Sequence, residues 1–239
     1  MSLPIINAPT YELTLPIKNE KVKYRPFTVK EQKILMIALE SDDPIFINDN
    51  IKEVIKNCCK SKIDIDSLST TDTEFFFLQL RARSIGEVIK PRYVCKNNIE
   101  NEECGNQMET SINILEVDVD LNDYNDIIQL EPELGLKMKH PNFDIVKNFK
   151  EDSDILEMTT DIIADCVDYV FDSEKVYYRD EFTKSELTNW LDGLNNEQFK
   201  KIEEHFNHLP KLKKEIDIVC AKCGFEHKIT MEGLENFLA

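Results

Sequence analysis

Apolar and polar positions begin to alternate at residue 10. Tyr11-Glu12-Leu13-Thr14 alternates, Lys18-Asn19-Glu20-Lys21 is turn-like, and Val22-Lys23-Tyr24-Arg25-Pro26-Phe27 returns, so residues 10–27 read as a β-hairpin. The period then lengthens. Thr28 and Glu31 have the spacing of a capping box, and Ile34, Leu35, Ala38 and Leu39 make one helix face that ends near Ser41-Asp42-Asp43-Pro44. Asn48 to Cys59 reads as a second helix, with Ile51, Val54, Ile55 and Cys58 on one side. Thr71 or Asp72 is the expected cap of a third, Phe-rich helix. Its face holds Phe75, Leu78, Ala82 and Ile85, with Phe76 and Leu80 beside it, and it is expected at the centre of an N-terminal core.

Residues 88–118 change character. Short β-like runs, RYVC and METSINILEV, flank an Asn- and Glu-rich loop, and two more strand-like runs follow at Ile127–Leu130 and Leu134–Met138. A short helix is expected from Asn142 to Phe149. A long helix is expected from Asp152 or Ser153 to Phe171, with Ile155, Ile162, Cys166 and Val170 in line. Val176 to Phe182 reads as a short strand or connector. Thr183 with Glu186 caps the next helix, and Phe199, Ile202 and Phe206 share a face of the one after it, which Pro210 ends. The last segment is a hairpin pattern followed by a short amphipathic helix.

Composition narrows the function classes. The chain has 239 residues, 41% of them apolar, and a formal charge of −17, which suits a globular protein and opposes a broad nucleic-acid or anionic-membrane face. The charge is uneven. Residues 1–40 hold six basic and four acidic residues, 91–135 hold two and eleven, and 151–197 hold three and fourteen. Such acidic stretches are either a solvated face or a surface for a basic partner. The N-terminus lacks a signal-peptide pattern, and no apolar run approaches the roughly 20 residues of a membrane span. The expected compartment is therefore cytosolic and reducing. Seven cysteines there point to metal binding or burial rather than disulfides.

Four of the seven form a pattern. Cys95 and Cys104 are separated by eight intervening residues, Cys220 and Cys223 by two, and each pair sits in a β-like run ending in Val-Cys followed by a Cys-Gly. Gly105 and Gly224 suit turns that need positive φ. Two such hairpins facing each other would make a zinc-ribbon-like site with four thiolates, and zinc favours four tetrahedral ligands in closed structural sites. The expected cofactor is one structural Zn²⁺ per chain. The alternatives are a set of His205 and His208 with Cys220 and Cys223, or no metal. Cys58, Cys59 and Cys166 fall in helices and read as packing. His140 and His227 have no partner legible in the sequence. No P-loop, GxGxxG, GxSxG or deaminase signature is present, so no catalytic residue is expected.

Several segments together resemble a known family. KYRPFTVKEQKILMIALES, TEFFFLQLRARSIGEVI, IQLEPELGLKMKHPNFD and FTKSELTNWLDGLNNEQFKKIEEHFNHLPKL are similar to the baseplate proteins of T-even-type tailed bacteriophages, the family of hub subunits and hub assembly proteins. The resemblance runs from about Tyr11 to Leu238. It implies a non-enzymatic part in building the contractile-tail baseplate, as a hub component or assembly chaperone. The implied partners are other baseplate hub or wedge proteins, and the implied places are the infected host cytoplasm and the virion tail. Tyr24-Arg25-Pro26-Phe27 and the Phe-rich helix are candidate contact regions, with core packing as the competing reading. A zinc-ribbon adaptor in viral transcription or replication is the alternative function. It would need a basic or aromatic face near Cys95 and Cys220, whereas residues 91–135 are strongly acidic. The expected fold class is α+β. Its parts are an N-terminal hairpin with helices (1–87), a discontinuous β module (88–118 with 212–231), a strand pair with a second helical cluster (119–211) and a C-terminal helix (232–239).

Overall fold

The computed structural model describes residues 7–121, 124–147 and 155–238. It is a mixed helix and sheet protein whose described residues fall into two compact units. The first takes the chain up to Asp120 and again from Lys211; the second is Leu121–Pro210.

In the first unit, β1 (Tyr11–Thr14) and β2 (Lys21–Tyr24) form the N-terminal hairpin, with Tyr11 opposite Tyr24 and Leu13 opposite Val22. Next comes α1 (Val29–Leu39). Glu31 reaches back to the Thr28 amide at 2.7 Å, completing the expected capping box, and pairs with Arg25 at 2.9 Å. Burial opposes the Glu31 charge, but Arg25 and Thr28 outweigh it and hold the carboxyl at about 2.

The second helix starts earlier than the apolar pattern implies. α2 runs Pro44–Cys58, with Asp43 accepting the amides of Ile45 and Phe46. Pro44 therefore opens α2 as well as following α1, because proline at the first helical position gives up only an amide that has no helical partner. Ile51, Val54, Ile55 and Cys58 are buried as expected. α3 (Thr70–Ser84) is capped by Ser69, not by Thr71 or Asp72. Asp72 is used elsewhere: its carboxylate accepts the amides of Ile17 at 2.9 Å and Lys18 at 3.0 Å, tying the hairpin turn to α3. Leu78, Ala82, Phe76 and Leu80 are buried as expected; the face also takes in Phe77, while Phe75 is only partly buried and Ile85 is exposed. Phe76 meets Tyr24 edge to face with ring centroids 5.5 Å apart. Tyr24, Phe27, Phe76 and Phe77 are all buried. The two candidate contact regions are therefore corrected to core, because hairpin and helices close on these aromatic rings.

Residues 88–113 form one long interrupted hairpin. β3 (Val88–Ile89) pairs with β8 (Ile112–Asn113), β4 (Arg92–Val94) with β7 (Gln107–Glu109), and β5 (Asn98–Ile99) with β6 (Glu102–Glu103). A 3-10 turn at Ile114–Glu116 packs on α3 and leads into β9 (Asp118–Val119).

The second unit is a four-stranded antiparallel sheet with helices. Its strands, in spatial order, are β10 (Ile127–Glu131), β11 (Leu134–Met138), β12 (Val167–Phe171) and β13 (Val176–Tyr178). Its helices are α4 (Phe143–Lys147), α5 (Ile155–Cys166), α6 (Lys184–Asp192) and α7 (Asn196–Asn207). The expected long helix is thus corrected at its end. α5 stops at Cys166 and the chain passes directly into β12, where Val170 pairs with Leu136 on one side and Tyr177 on the other. Val-Asp-Tyr-Val-Phe is rich in β-branched and aromatic residues, and the central sheet position outweighs the helical spacing. The expected cap at Asp152 or Ser153 lies outside the described residues. Gly135 on β11 admits the Phe171 ring, which a Cβ there would meet at 2.5 Å. Capping boxes at Thr183–Glu186 and Asn195–Gln198 start α6 and α7.

The chain then returns to the first unit as β14 (Leu212–Val219) and β15 (Glu226–Glu232), with β9 on the other side of β14. A final 3-10 turn, Leu234–Phe237, buries Phe237 in the same cluster as Leu15, Phe76 and Ile114. Glu74 of α3 accepts the Leu234 amide; burial and Glu235 push its carboxyl up to about 7.

Asp72→Ala would leave the Ile17 and Lys18 amides without their acceptor in a site where Asp72 is 1% exposed. The expected loss is about 3 kcal/mol, with Asp72→Asn retaining part of it, read from urea midpoints at constant m.

A candidate four-cysteine metal centre

The two cysteine pairs meet at the ends of two hairpins of the first unit. On the first, Cys95 follows β4, and its amide donates to the Asn106 carbonyl at 2.8 Å. The Cys104 amide donates to the Asn97 carbonyl at 2.7 Å, and the Gly105 amide to the Cys95 carbonyl at 3.1 Å. The β5–β6 turn uses left-handed Glu100 and Asn101, which lets eight residues fold between the two cysteines. On the second hairpin, Cys220 follows β14. The Gly224 amide donates to the Cys220 carbonyl at 2.8 Å, and the Cys220 amide to the Phe225 carbonyl at 2.9 Å. Gly105 at φ 63° and Gly224 at φ 72° occupy the left-handed region that their place in the motif anticipates.

The four sulfurs lie within 4.8 Å of one another. Cys95 and Cys223 are 3.6 Å apart, and Cys104 and Cys220 are 3.9 Å apart. A tetrahedron with metal–sulfur bonds of about 2.3 Å has sulfur–sulfur edges of roughly 3.8 Å, whereas a disulfide needs about 2.05 Å. The donor set and the spacing therefore fit a tetrahedral thiophilic metal ion. Cys95, Cys104 and Cys220 are buried and Cys223 is partly exposed, over a small apolar floor that includes Met108 and Ile218.

Donors surround the sulfurs. The amides of Lys222 and Cys223 point to Cys220, and that of Asn97 points to Cys95. The Asn106 and Asn97 side-chain amides approach Cys220 at 3.5 Å and Cys223 at 3.7 Å. His227 Nε2 lies 3.1 Å from Cys95, and Lys222 Nζ donates to the Cys104 carbonyl at 2.8 Å. Burial resists charge at Cys220, but its two amides and the neighbouring thiols bring it down to about 6. At Cys95 burial prevails and the thiol is pushed up to about 12. Thiolates formed at this spacing would stand side by side, a charge problem that a divalent cation removes.

His227 is the neighbour that the sequence reading missed. The β14–β15 register supplies the signal: His227 stands opposite Ile218, and Cys220 follows two residues later, just past the end of β14. His205 and His208 are not brought to Cys220 and Cys223. His205 lies on α7 of the second unit and donates to the Asn125 carbonyl, and His208 caps the end of α7 and donates to the Glu204 carbonyl. Cys58 and Cys166 are buried thiols pushed by burial to about 11 and about 12, consistent with packing. Among the described residues no helix is long and apolar enough to cross a membrane.

Sequence comparison places the chain among phage base plate proteins. It belongs to the T4 bacteriophage base plate protein family, whose sequence model matches residues 8–239. It is similar to the baseplate hub assembly protein gp26 of Enterobacteria phage T4, with 24% identity over 230 residues, covering 95% of this chain and 97% of that protein. No solved structure matches the fold.

His140 and His205 flank the Tyr124 ring, with centroids at 4.4 Å and 5.4 Å. Burial, then His205, lowers His140 to about 4, and burial lowers His205 as well. Protonation then favours the unfolded chain, so stability is full above the unfolded value of about 6.5 and is lost as pH falls toward 4. Trp190, the single tryptophan, packs against the second unit's core and reports it by fluorescence. Its urea midpoint is expected to fall between pH 6.5 and 4, less steeply in His140→Leu.

Proposed function

We propose that the chain is a non-enzymatic component or assembly chaperone of the contractile-tail baseplate hub. It acts by binding other hub or wedge proteins in the infected host cytoplasm and in the tail baseplate. The observation that carries this reading is the collinear match to a hub assembly protein over nearly the full length of both chains. We further propose that Cys95, Cys104, Cys220 and Cys223 hold one structural Zn²⁺ in a zinc-ribbon-like module. The support is the near-tetrahedral sulfur spacing and the hydrogen-bond donors around it. Bound there, zinc would supply four metal–sulfur bonds linking hairpins that are far apart in sequence. Four thiolates leave no open position for a substrate or water, which accords with a binding protein rather than a hydrolytic metal enzyme.

Affinity purification of the tagged chain from infected cells should recover baseplate hub or wedge subunits; recovery of none would overturn the assembly reading. Metal analysis of the native protein should give one zinc per chain. Cys95→Ser and Cys220→Ser should each lose it, and zinc retained in both would remove the ligand assignment. Chelation should lower the Tm of the first unit, by linkage between metal binding and folding.

A further inference from the structure

We propose that the chain forms a twofold-symmetric dimer through the outer face of α1. The inner face of this helix is already used, by Glu31, Leu35 and Ala38. The outer face is nevertheless apolar. Val29, Met36, Ile37 and Leu39, with Ile45 and Phe46 from the start of α2, are between 42% and 67% exposed. A helix apolar on both sides is a core helix lacking one of its neighbours, and an exposed apolar surface of this kind marks an interaction site.

The charges on the same face select a second copy as the occupant. Lys33 and Glu40 lie seven residues apart, about 10 Å along one side of the helix, with Met36 and Ile37 between them. Both side chains are exposed, and neither has an ion pair or hydrogen bond among the described residues. An antiparallel copy with its axis between Met36 and Ile37 brings each Lys33 opposite Glu40 of the second copy. The same register sets Met36 against Ile37 of the second copy. A basic partner would leave Lys33 opposed, and an acidic partner would leave Glu40 opposed. Only a partner with the reverse order of charges satisfies both, and this helix itself has that order. The surface is isologous, so the assembly closes at two chains. It is small, so association is expected in the micromolar range.

Sedimentation of the full chain tests this. The mass should rise from 27.9 kDa toward twice that value between about 1 and 100 µM. Lys33→Glu and Glu40→Lys should each weaken dimerisation by about tenfold or more, because each places like charges together twice. The double variant Lys33→Glu with Glu40→Lys should restore it. Met36→Asp should abolish it with Tm unchanged, since Met36 is exposed in the single chain. Wild-type protein that stays monomeric at about 100 µM overturns the proposal. So does a dimer that the single charge variants leave intact, or one that the double variant fails to restore.

Discussion

The return of the chain's last segment to its first part is the constraint on which the first unit depends. β14 and β15 pair beside β9, Phe237 fills the core against Phe76, and Cys220 and Cys223 reach Cys95 and Cys104. Closing a loop of this length costs on the order of 4 kcal/mol in chain entropy. The β14–β9 ladder is only two residue pairs long, so it cannot offset that alone. The burial of Leu212, Met231, Leu234 and Phe237 supplies an apolar term, and the four sulfurs give a further point of closure at the other end of the hairpin. The two contacts lie at opposite ends of β14, so together they fix both its position and its register.

The same constraint explains the second unit. Residues 121–210 leave and re-enter the first unit at Asp120 and Lys211, where the Asp120 amide donates to the Lys211 carbonyl. An insertion held at such close ends needs its own core, and it has one in Leu136, Met138, Ile163, Leu191 and Ile202. Its sheet is antiparallel throughout and sequential in order, so each strand finds its partner locally except across α4 and α5.

What was legible in the sequence follows from which interactions are local. Caps at Thr28 and Thr183 were readable because the bond runs three residues along the chain. The cysteine pairs were readable because Val-Cys and Cys-Gly recur around two separate turns. The end of α5 was not, because Cys166 to Phe171 keeps an acceptable helical spacing and only pairing with Leu136 and Tyr177 makes a strand of it. Asp72 was misread as a cap because its acceptors' partners, Ile17 and Lys18, lie more than fifty residues away. Leu39 looked like core because a wheel shows which residues share a face, not how much of that face is covered.

Charge is divided unequally between the two units. The second unit holds 21 acidic and nine basic residues, which is −12 of the chain's −17, and the first unit carries −5. Two copies meeting through their second units would oppose −12 with −12, an arrangement that like-charge repulsion disfavours and that a basic partner would favour. α1 lies where the chain is mildly basic and carries both signs on its outer face, so two copies can meet there without that repulsion. Self-association through α1 and binding of a basic partner by the acidic unit would then draw on different residues.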